Sequence, residues 1–278
     1  MATDAVHGAR KLGRYSLLVF VAAIVLFPIY AVLLQALKSG PDAYDHPRSL
    51  LPVDLTLDTI RAAWTDGDLG HLLRNSLFVS LVVTVGVIIT SLLAAYAFAF
   101  LNFPLKGPVF ALFLATMLVP AEVTVVINQR TADSLGWLNS YQGLIVPSLA
   151  STFGVFLVRQ VFLQIPKELR EAASLDGVGH MRFLYDVAAP LSRPTLGALG
   201  LFTFLGTWNA YLWPSQVIND NEHRTIQIGL NSLKTPNDIS KFNLLTGGLV
   251  VAALPIFIML VVFQRQLVRG LTAGAVKG

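Results

Sequence analysis

The hydrophobic positions of this chain fall into six long runs separated by polar segments. The apolar residues of these runs lack the strict alternation of a β-barrel strand, and each run is close to the roughly 20 residues that a helix needs to cross a bilayer. A helix also satisfies its own backbone hydrogen bonds in lipid. The pattern therefore predicts an all-α membrane protein with six transmembrane helices, near residues 15–37, 76–100, 109–127, 143–162, 196–212 and 244–263.

The composition supports a multi-spanning membrane protein. Of the 278 residues, 54% are hydrophobic and 13% are charged, and the mean hydropathy is +0.64. Soluble domains carry about 25% charged residues, so the composition argues against a soluble enzyme and excludes a disordered chain. The net charge of +4 is explained by membrane topology and indicates no nucleic-acid partner. Cysteine is absent, which excludes disulfides, thiol catalysis and cysteine-based metal sites.

The first run begins like a signal peptide, after Arg10, Lys11 and Arg14. It is too long for one, lacks a small-residue cleavage site and ends at Gln35 and Lys38, so we interpret it as an uncleaved span.

The basic residues assign the orientation by the positive-inside rule. Both termini are predicted to be cytoplasmic, because that places most Lys and Arg, including Lys277, inside. The acids then cluster in the first outer loop, at Asp42, Asp45, Asp54, Asp58, Asp66 and Asp68. The outer segments 39–74 and 215–242 are either docking surfaces for an external partner or plain connections.

The predicted cytoplasmic segment 166–190 is longer than a connector needs. Leu169, Ala172, Ala173 and Leu175 share one side of a short helix, and the Asp176-Gly177 pair predicts its end. From the pattern alone, such a helix rests on the membrane interface, on its own bundle or in a groove of a partner.

The residue identities favour the third alternative, in which the helix docks in a groove of a partner protein. Glu-Ala-Ala, then Asp-Gly, Phe and Pro-Leu resemble the EAA motif of permease subunits of ABC importers, and the matching positions are Glu171, Ala172, Ala173, Asp176, Gly177, Phe183, Pro190 and Leu191. The resemblance implies a type I importer permease in which this segment is the coupling helix that docks on a cytoplasmic ATPase.

The same resemblance implies the other components. The chain contains no Walker A phosphate loop, so ATP and Mg are expected in two partner ATP-binding cassette subunits and no cofactor in this chain. A second homologous permease, an extracytoplasmic substrate-binding protein and membrane lipid are the other expected partners. The expected location is the cell membrane of a prokaryote, with residues 1–278 forming a single permease domain that is not an enzyme.

The resemblance covers nearly the whole chain and points to the carbohydrate group of these permeases, which includes the second maltose permease subunit. Several stretches are more similar to permeases for sn-glycerol-3-phosphate and glycerophosphodiesters such as glycerophosphocholine, including residues 103–106, 117–123, 138–144 and 208–214. A sugar such as maltose or trehalose is the alternative substrate.

Five residues are candidates for a substrate pathway. Glu122 is the acid predicted to lie within a span, where a charge costs roughly 2.5–3.5 kcal/mol. It either lines a water-filled path or lies near the outer end of the third span, against Thr124, Asn128 or a neighbouring subunit. An aromatic cluster near the outer end of the fifth span forms either an interfacial belt or a ligand surface. Its members are Trp208, Asn209, Tyr211 and Trp213.

Two other classes of protein fit less well. An ion-coupled secondary transporter predicts several intramembrane ionisable residues and an internal repeat, and a membrane enzyme predicts paired catalytic groups at membrane depth. Neither pattern is present, so no catalytic residue is assigned. The five histidines are scattered without ligand spacing, and no metal site is predicted.

Overall fold

The computed structural model describes residues 2–39, 46, 49–51, 54–234 and 239–272. Asp42, Asp45 and Lys277, on which the predicted orientation partly depends, lie outside these residues, as do parts of both predicted outer loops. The described elements are helical. The α-helices, in chain order, are α1 (Ala2–Leu37), α2 (Asp58–Thr65), α3 (Leu69–Phe100), α4 (Lys106–Ala115), α5 (Ala121–Ser134), α6 (Tyr141–Ile145), α7 (Thr152–Phe162), α8 (Lys167–Leu175), α9 (His180–Phe183), α10 (Ala189–Leu191), α11 (Arg193–Trp208), α12 (Leu212–Val217), α13 (Ile226–Ser232) and α14 (Ile239–Thr272).

Three shorter turns interrupt these helices. Thr116–Leu118 and Val146–Leu149 are 3₁₀ turns, and Leu184–Ala188 is a π-helical turn. An all-α fold is therefore confirmed for the part of the chain that the structure describes.

Four of the predicted spans coincide with helical segments that are long and apolar enough to cross a membrane. They are Gly13–Leu37, Leu69–Phe100, Tyr141–Phe162 and Asn243–Gln264. The second begins seven residues earlier than the hydrophobic run suggested, because polar residues such as His71 and Asn75 continue the helix.

The predicted third span is not a straight helix. The chain bends by 103° between Lys106–Leu118 and Glu122–Ser134. The two helices therefore form either one broken span or a re-entrant loop. Pro120 lies at the bend in an extended conformation, with ψ of 135°. Proline has no N–H to donate to the preceding turn, which explains why the helix stops and restarts here.

The predicted fifth span is not among the helices that are long and apolar enough to cross a membrane. Its helix, α11, has 16 residues, about 24 Å, and ends at Trp208 before a break that precedes α12. The described residues thus contain four candidate spans, or five if the bent pair forms one span, and the predicted total of six is not confirmed.

The chain divides into two compact units. The first comprises residues 1–70 and 230–254, and the second residues 71–229 and 255–278. In the second unit the core is built on one face of α3, where Val79, Val83 and Val87 recur every four residues. Val158 and Phe162 of α7 belong to the same buried cluster.

In the first unit a buried lysine holds the segment that follows α1. Lys38 is fully buried, and its Nζ donates hydrogen bonds to the carbonyl oxygens of His46 at 2.8 Å and Ser49 at 3.0 Å. The carbonyl of Lys38 accepts a hydrogen bond from Thr59 Oγ1 at 2.9 Å. Thr59 in turn approaches α14 closely, because a Cβ added at Gly247 would lie 2.9 Å from its carbonyl oxygen.

We expect Lys38→Met to lower the thermal stability of the purified protein. The substitution keeps the apolar stem but removes charged hydrogen bonds worth about 2 kcal/mol, which corresponds to a fall of roughly 4–8 °C in Tm for a chain of this size. Thermal unfolding in detergent measures the effect, with the exposed Lys234→Met as the matched control. Equal Tm values for the two variants would contradict the structural role of Lys38.

Candidate functional site

The segment predicted to couple to an ATPase forms a separate short helix, α8, which begins after Pro166. Glu171 and Ala172 are exposed on it, and Leu175 is 89% exposed. Ala173 faces the other way and packs against the core of the second unit. The helix therefore rests on the protein through one side and presents a mixed acidic and apolar surface on the other.

Gly177 ends α8 in a way that only glycine adopts easily. Its φ of +75° is left-handed, its N–H donates to the carbonyl of Ser174 at 3.1 Å, and the N–H of Val178 donates to that of Ala173 at 2.8 Å. These two bonds form a complete Schellman motif. A residue with a Cβ would strain this backbone, so the turn predicted from the Asp-Gly pair has a physical basis. The Asp176 side chain is exposed at the same corner.

Phe183 anchors the segment to the protein interior. Its side chain is fully buried, and its ring meets that of Phe100 edge-on with centroids 5.6 Å apart. The guanidinium of Arg170, on α8, lies 5.1 Å from the centre of the Phe183 ring. Phe183 thus does not belong to the exposed surface of the EAA segment; it fixes that segment to the end of α3.

A polar contact reinforces this anchor. His180 Nδ1 lies 2.9 Å from the hydroxyl of Tyr96 on α3 and accepts a hydrogen bond from Nη2 of Arg170 at 2.9 Å. One imidazole nitrogen therefore links α8 to α3. The sequence did not predict this contact, because Tyr96 is 84 residues from His180 along the chain and the three residues match no short motif.

Pro190 follows the π-helical turn Leu184–Ala188 and is half-buried. Because proline donates no backbone hydrogen bond, a wider turn just before it is a physically sensible adjustment. Met181 and Tyr185, on this part of the segment, are 65% and 81% exposed and extend its apolar surface.

The residues predicted for a substrate pathway do not come together. Glu122 lies in the first turn of α5, just after the bend, and is exposed within this chain. Trp208 is 1% exposed and stacks on Phe204 with centroids 5.7 Å apart, so its ring belongs to the core rather than to a ligand surface or an interfacial belt.

The other members of the aromatic cluster occupy different environments. Asn209 is exposed, and its Nδ2 donates to the carbonyl of Leu205 at 2.9 Å. Tyr211 is 43% exposed. Trp213 is half-buried and donates from its indole nitrogen to the carbonyl of Gly143 at 3.0 Å.

Trp213 lines a cavity of about 200 Å³ in the second unit. We call it the hydroxyl cavity, because its lining includes Ser76, Ser80, Ser148, Thr207 and Thr225. The only sequence signal for it is the spacing of Ser76 and Ser80, four residues apart inside an apolar run. Convergence with residues from three other parts of the chain is a tertiary property that no local pattern reveals.

One wall of the hydroxyl cavity is fixed by Asn75. This side chain is fully buried, donates to the carbonyls of Glu222 at 2.7 Å and Arg224 at 3.0 Å, and accepts from the hydroxyl of Tyr141 at 2.9 Å. These bonds hold the 218–225 loop on the start of α3, next to the cavity.

A carboxylate closes the same loop. Asp220 accepts hydrogen bonds from the backbone N–H and from Nδ1 of His223, both at 2.9 Å. Burial raises the pKa of Asp220, but these bonds and the charges of His223 and Arg224 outweigh it, so the pKa lies below its ordinary value. The carboxylate therefore stays ionised, and keeps the loop closed, down to acidic pH.

Within the described residues, no three histidine or acidic side chains come together in a way that could hold a metal ion. The features with functional character are thus the exposed EAA segment and the hydroxyl cavity.

Comparison with known proteins defines the class. Residues 86–272 match the family of binding-protein-dependent transport system inner membrane components, and the chain belongs to that family. It is the membrane permease subunit of an ABC importer, and permease subunits of this family are non-catalytic.

The relatives are similar over nearly their full length. The chain is 33% identical to the sn-glycerol-3-phosphate transport system permease protein UgpE of Pectobacterium atrosepticum, over 96% of this chain and 98% of the relative. It is 34% identical to the UgpE protein of Yersinia pestis, over 92% and 93%. The crystal structure of a bacterial ABC transporter for import of the acidic polysaccharide alginate shares the fold, with a TM-score of 0.83, 22% identity, and 95% and 98% coverage.

Proposed function

We propose that this chain forms half of the translocation pathway of an importer for sn-glycerol-3-phosphate or glycerophosphodiesters such as glycerophosphocholine. A second homologous permease would complete the pathway, two ATP-binding cassette subunits would hold ATP and Mg, and an extracytoplasmic binding protein would deliver the solute. The relatives named for sn-glycerol-3-phosphate transport, at 33–34% identity over most of the chain, support the substrate.

The observation that carries the coupling role is the exposed surface of α8. Glu171, Ala172 and Leu175 present a carboxylate, a small side chain and a large apolar one on the side of the helix that the described residues leave exposed. Such a surface suits a groove on a partner protein. Asp176 and Gly177 would set the corner from which the helix projects.

The anchor at the end of α3 suggests how force would reach the spans. Movement of α8 by an ATPase would be transmitted to α3 by the buried ring of Phe183 and by the contact of Arg170 and Tyr96 with His180. Packed side chains resist compression, so a rigid displacement rather than local bending would follow. The pathway would then alternate its access between the two sides of the membrane.

We expect Glu171→Lys and Gly177→Val to uncouple transport from ATP hydrolysis. The first reverses the charge offered to the ATPase, and the second places a branched side chain at a φ of +75°. In the reconstituted transporter, solute carried per ATP hydrolysed should fall about tenfold or more, as for the loss of one charged contact.

The matched control is Glu168→Lys, which reverses an exposed acid in the first turn of the same helix. Coupling in Glu171→Lys equal to that of this control would contradict the proposed role of α8.

The substrate can be tested with the complete transporter in proteoliposomes. Saturable, ATP-dependent uptake of labelled sn-glycerol-3-phosphate, outcompeted by a glycerophosphodiester and not by maltose, is the expected result. Uptake of maltose or trehalose instead would establish the sugar-permease alternative.

We also propose that residues 1–278 form one permease domain with both termini in the cytoplasm. The native chain has no cysteine, so single-cysteine variants report the topology cleanly. A membrane-impermeant maleimide should label Asp66→Cys in right-side-out vesicles and Gln164→Cys only after detergent is added. The reverse pattern would overturn the orientation.

A further inference from the structure

We propose that the hydroxyl cavity holds the glyceryl part of the solute during its passage through this subunit. This inference rests on the proposed function, because it assigns to that pathway a binding subsite and the portion of the substrate that the subsite takes. The cavity lies wholly within the second unit, among α3, the 146–149 turn, the end of α11, α12 and the residue before α13.

The chemistry of the lining matches a small polyol. Five serine and threonine residues line the cavity, and each carries a hydroxyl that can both donate and accept a hydrogen bond, as the hydroxyls of glycerol do. Val79, Leu144 and Trp213 supply apolar surface for the carbon chain. No charged side chain is among the lining residues, so an anionic phosphate would be poorly stabilised here and would lie outside the cavity.

Two of the hydroxyls are unsatisfied. Ser80 is 1% exposed and Thr225 is 6% exposed, and neither Ser80 Oγ nor Thr225 Oγ1 has a hydrogen-bond partner among the described residues. Buried hydroxyls are normally paired, since an unpaired one loses its hydration without compensation. A rotation about χ1 would direct either hydroxyl toward a ligand. A polyol in the cavity would supply the partners that the protein does not.

A third hydroxyl is already oriented. Ser76 Oγ accepts a hydrogen bond from the N–H of Ile226 at 2.7 Å, which leaves its hydroxyl hydrogen to be donated elsewhere. The same bond holds Thr225 beside α3, since it fixes the residue that follows Thr225. The wall of the hydroxyl cavity therefore offers both hydrogen-bond acceptors and hydrogen-bond donors.

The size of the cavity selects a small group. Its volume of about 200 Å³ is below the roughly 300–1,000 Å³ of pockets that enclose drug-sized ligands. A second cavity of about 310 Å³ shares Ser148, Gly206 and Thr207 with it. A three-carbon group thus suits the hydroxyl cavity, while the rest of the solute can extend beyond it.

Gly206 offers a way to fill this space. It lines both cavities, and a Cβ added at this position would meet nothing within 4 Å. A larger side chain there would enter the open volume rather than the packed interior. It also replaces a helical glycine, which by itself favours the helix.

The test uses the complete transporter in proteoliposomes with saturating sn-glycerol-3-phosphate and binding protein. In Ser80→Ala and Thr225→Val we expect the solute carried per ATP hydrolysed to fall about fivefold for each hydroxyl removed. The melting temperature should not fall, because the removed hydroxyls have no hydrogen-bond partner in the part of the chain that the structure describes. Gly206→Leu should reduce uptake further than Gly206→Ala, in proportion to the volume filled.

Two matched controls separate this role from general packing. Ser91→Ala removes another buried hydroxyl of α3 that has no hydrogen-bond partner among the described residues and lines neither cavity. Gly107→Leu adds a side chain at another open position. Both should transport like the wild type.

The outcomes distinguish the two proposals. Wild-type uptake of sn-glycerol-3-phosphate with a selective loss in Ser80→Ala and Thr225→Val supports the subsite. Wild-type coupling in both of these variants overturns it, whatever Gly206→Leu does, and leaves the proposed function intact. If the wild type carries neither sn-glycerol-3-phosphate nor a glycerophosphodiester, both proposals fail.

Discussion

The burial of one aromatic ring determines what the surface segment of this permease can do. Phe183 lies in the interior against Phe100, so the helix α8 is held at a fixed place relative to the longest apolar helix of the second unit. Without that ring, a nine-residue helix with a largely exposed surface would have little to keep it folded in place. The anchor therefore helps to fix where the corner at Gly177 and the exposed face of α8 lie relative to α3.

Much of the fold follows from local sequence pattern, and the departures have identifiable causes. Runs of apolar residues located four spans, because length and hydropathy are sufficient for a helix in lipid. The same measure could not detect the 103° bend at Pro120 or the early end of α11, since a bilayer-length run of apolar residues does not specify a continuous helix. Hydropathy reports composition, and continuity depends on backbone hydrogen bonds.

The sequence predicts the EAA segment well and the hydroxyl cavity hardly at all. The EAA segment is contiguous, so residue identity and spacing locate it, and the left-handed Gly177 matches the turn that the sequence indicates. The hydroxyl cavity is assembled from residues 76–225, and its serines and threonines are individually unremarkable in an apolar helix. Trp208 illustrates the same difficulty, because a tryptophan near a predicted helix end is equally compatible with a core position.

The π-helical turn at Leu184–Ala188 has a geometric consequence for the helices around it. A π turn accommodates one residue more than an α turn, so side chains beyond it are rotated by about 100° from the phase of an uninterrupted helix. Phe183 before the turn and Ser192 after it both face inward with this offset in place. A regular α-helix of the same length would rotate Ser192 away from the interior, whereas deleting one residue along with the π turn would leave both flanks in phase, so chain length and backbone geometry are coupled here.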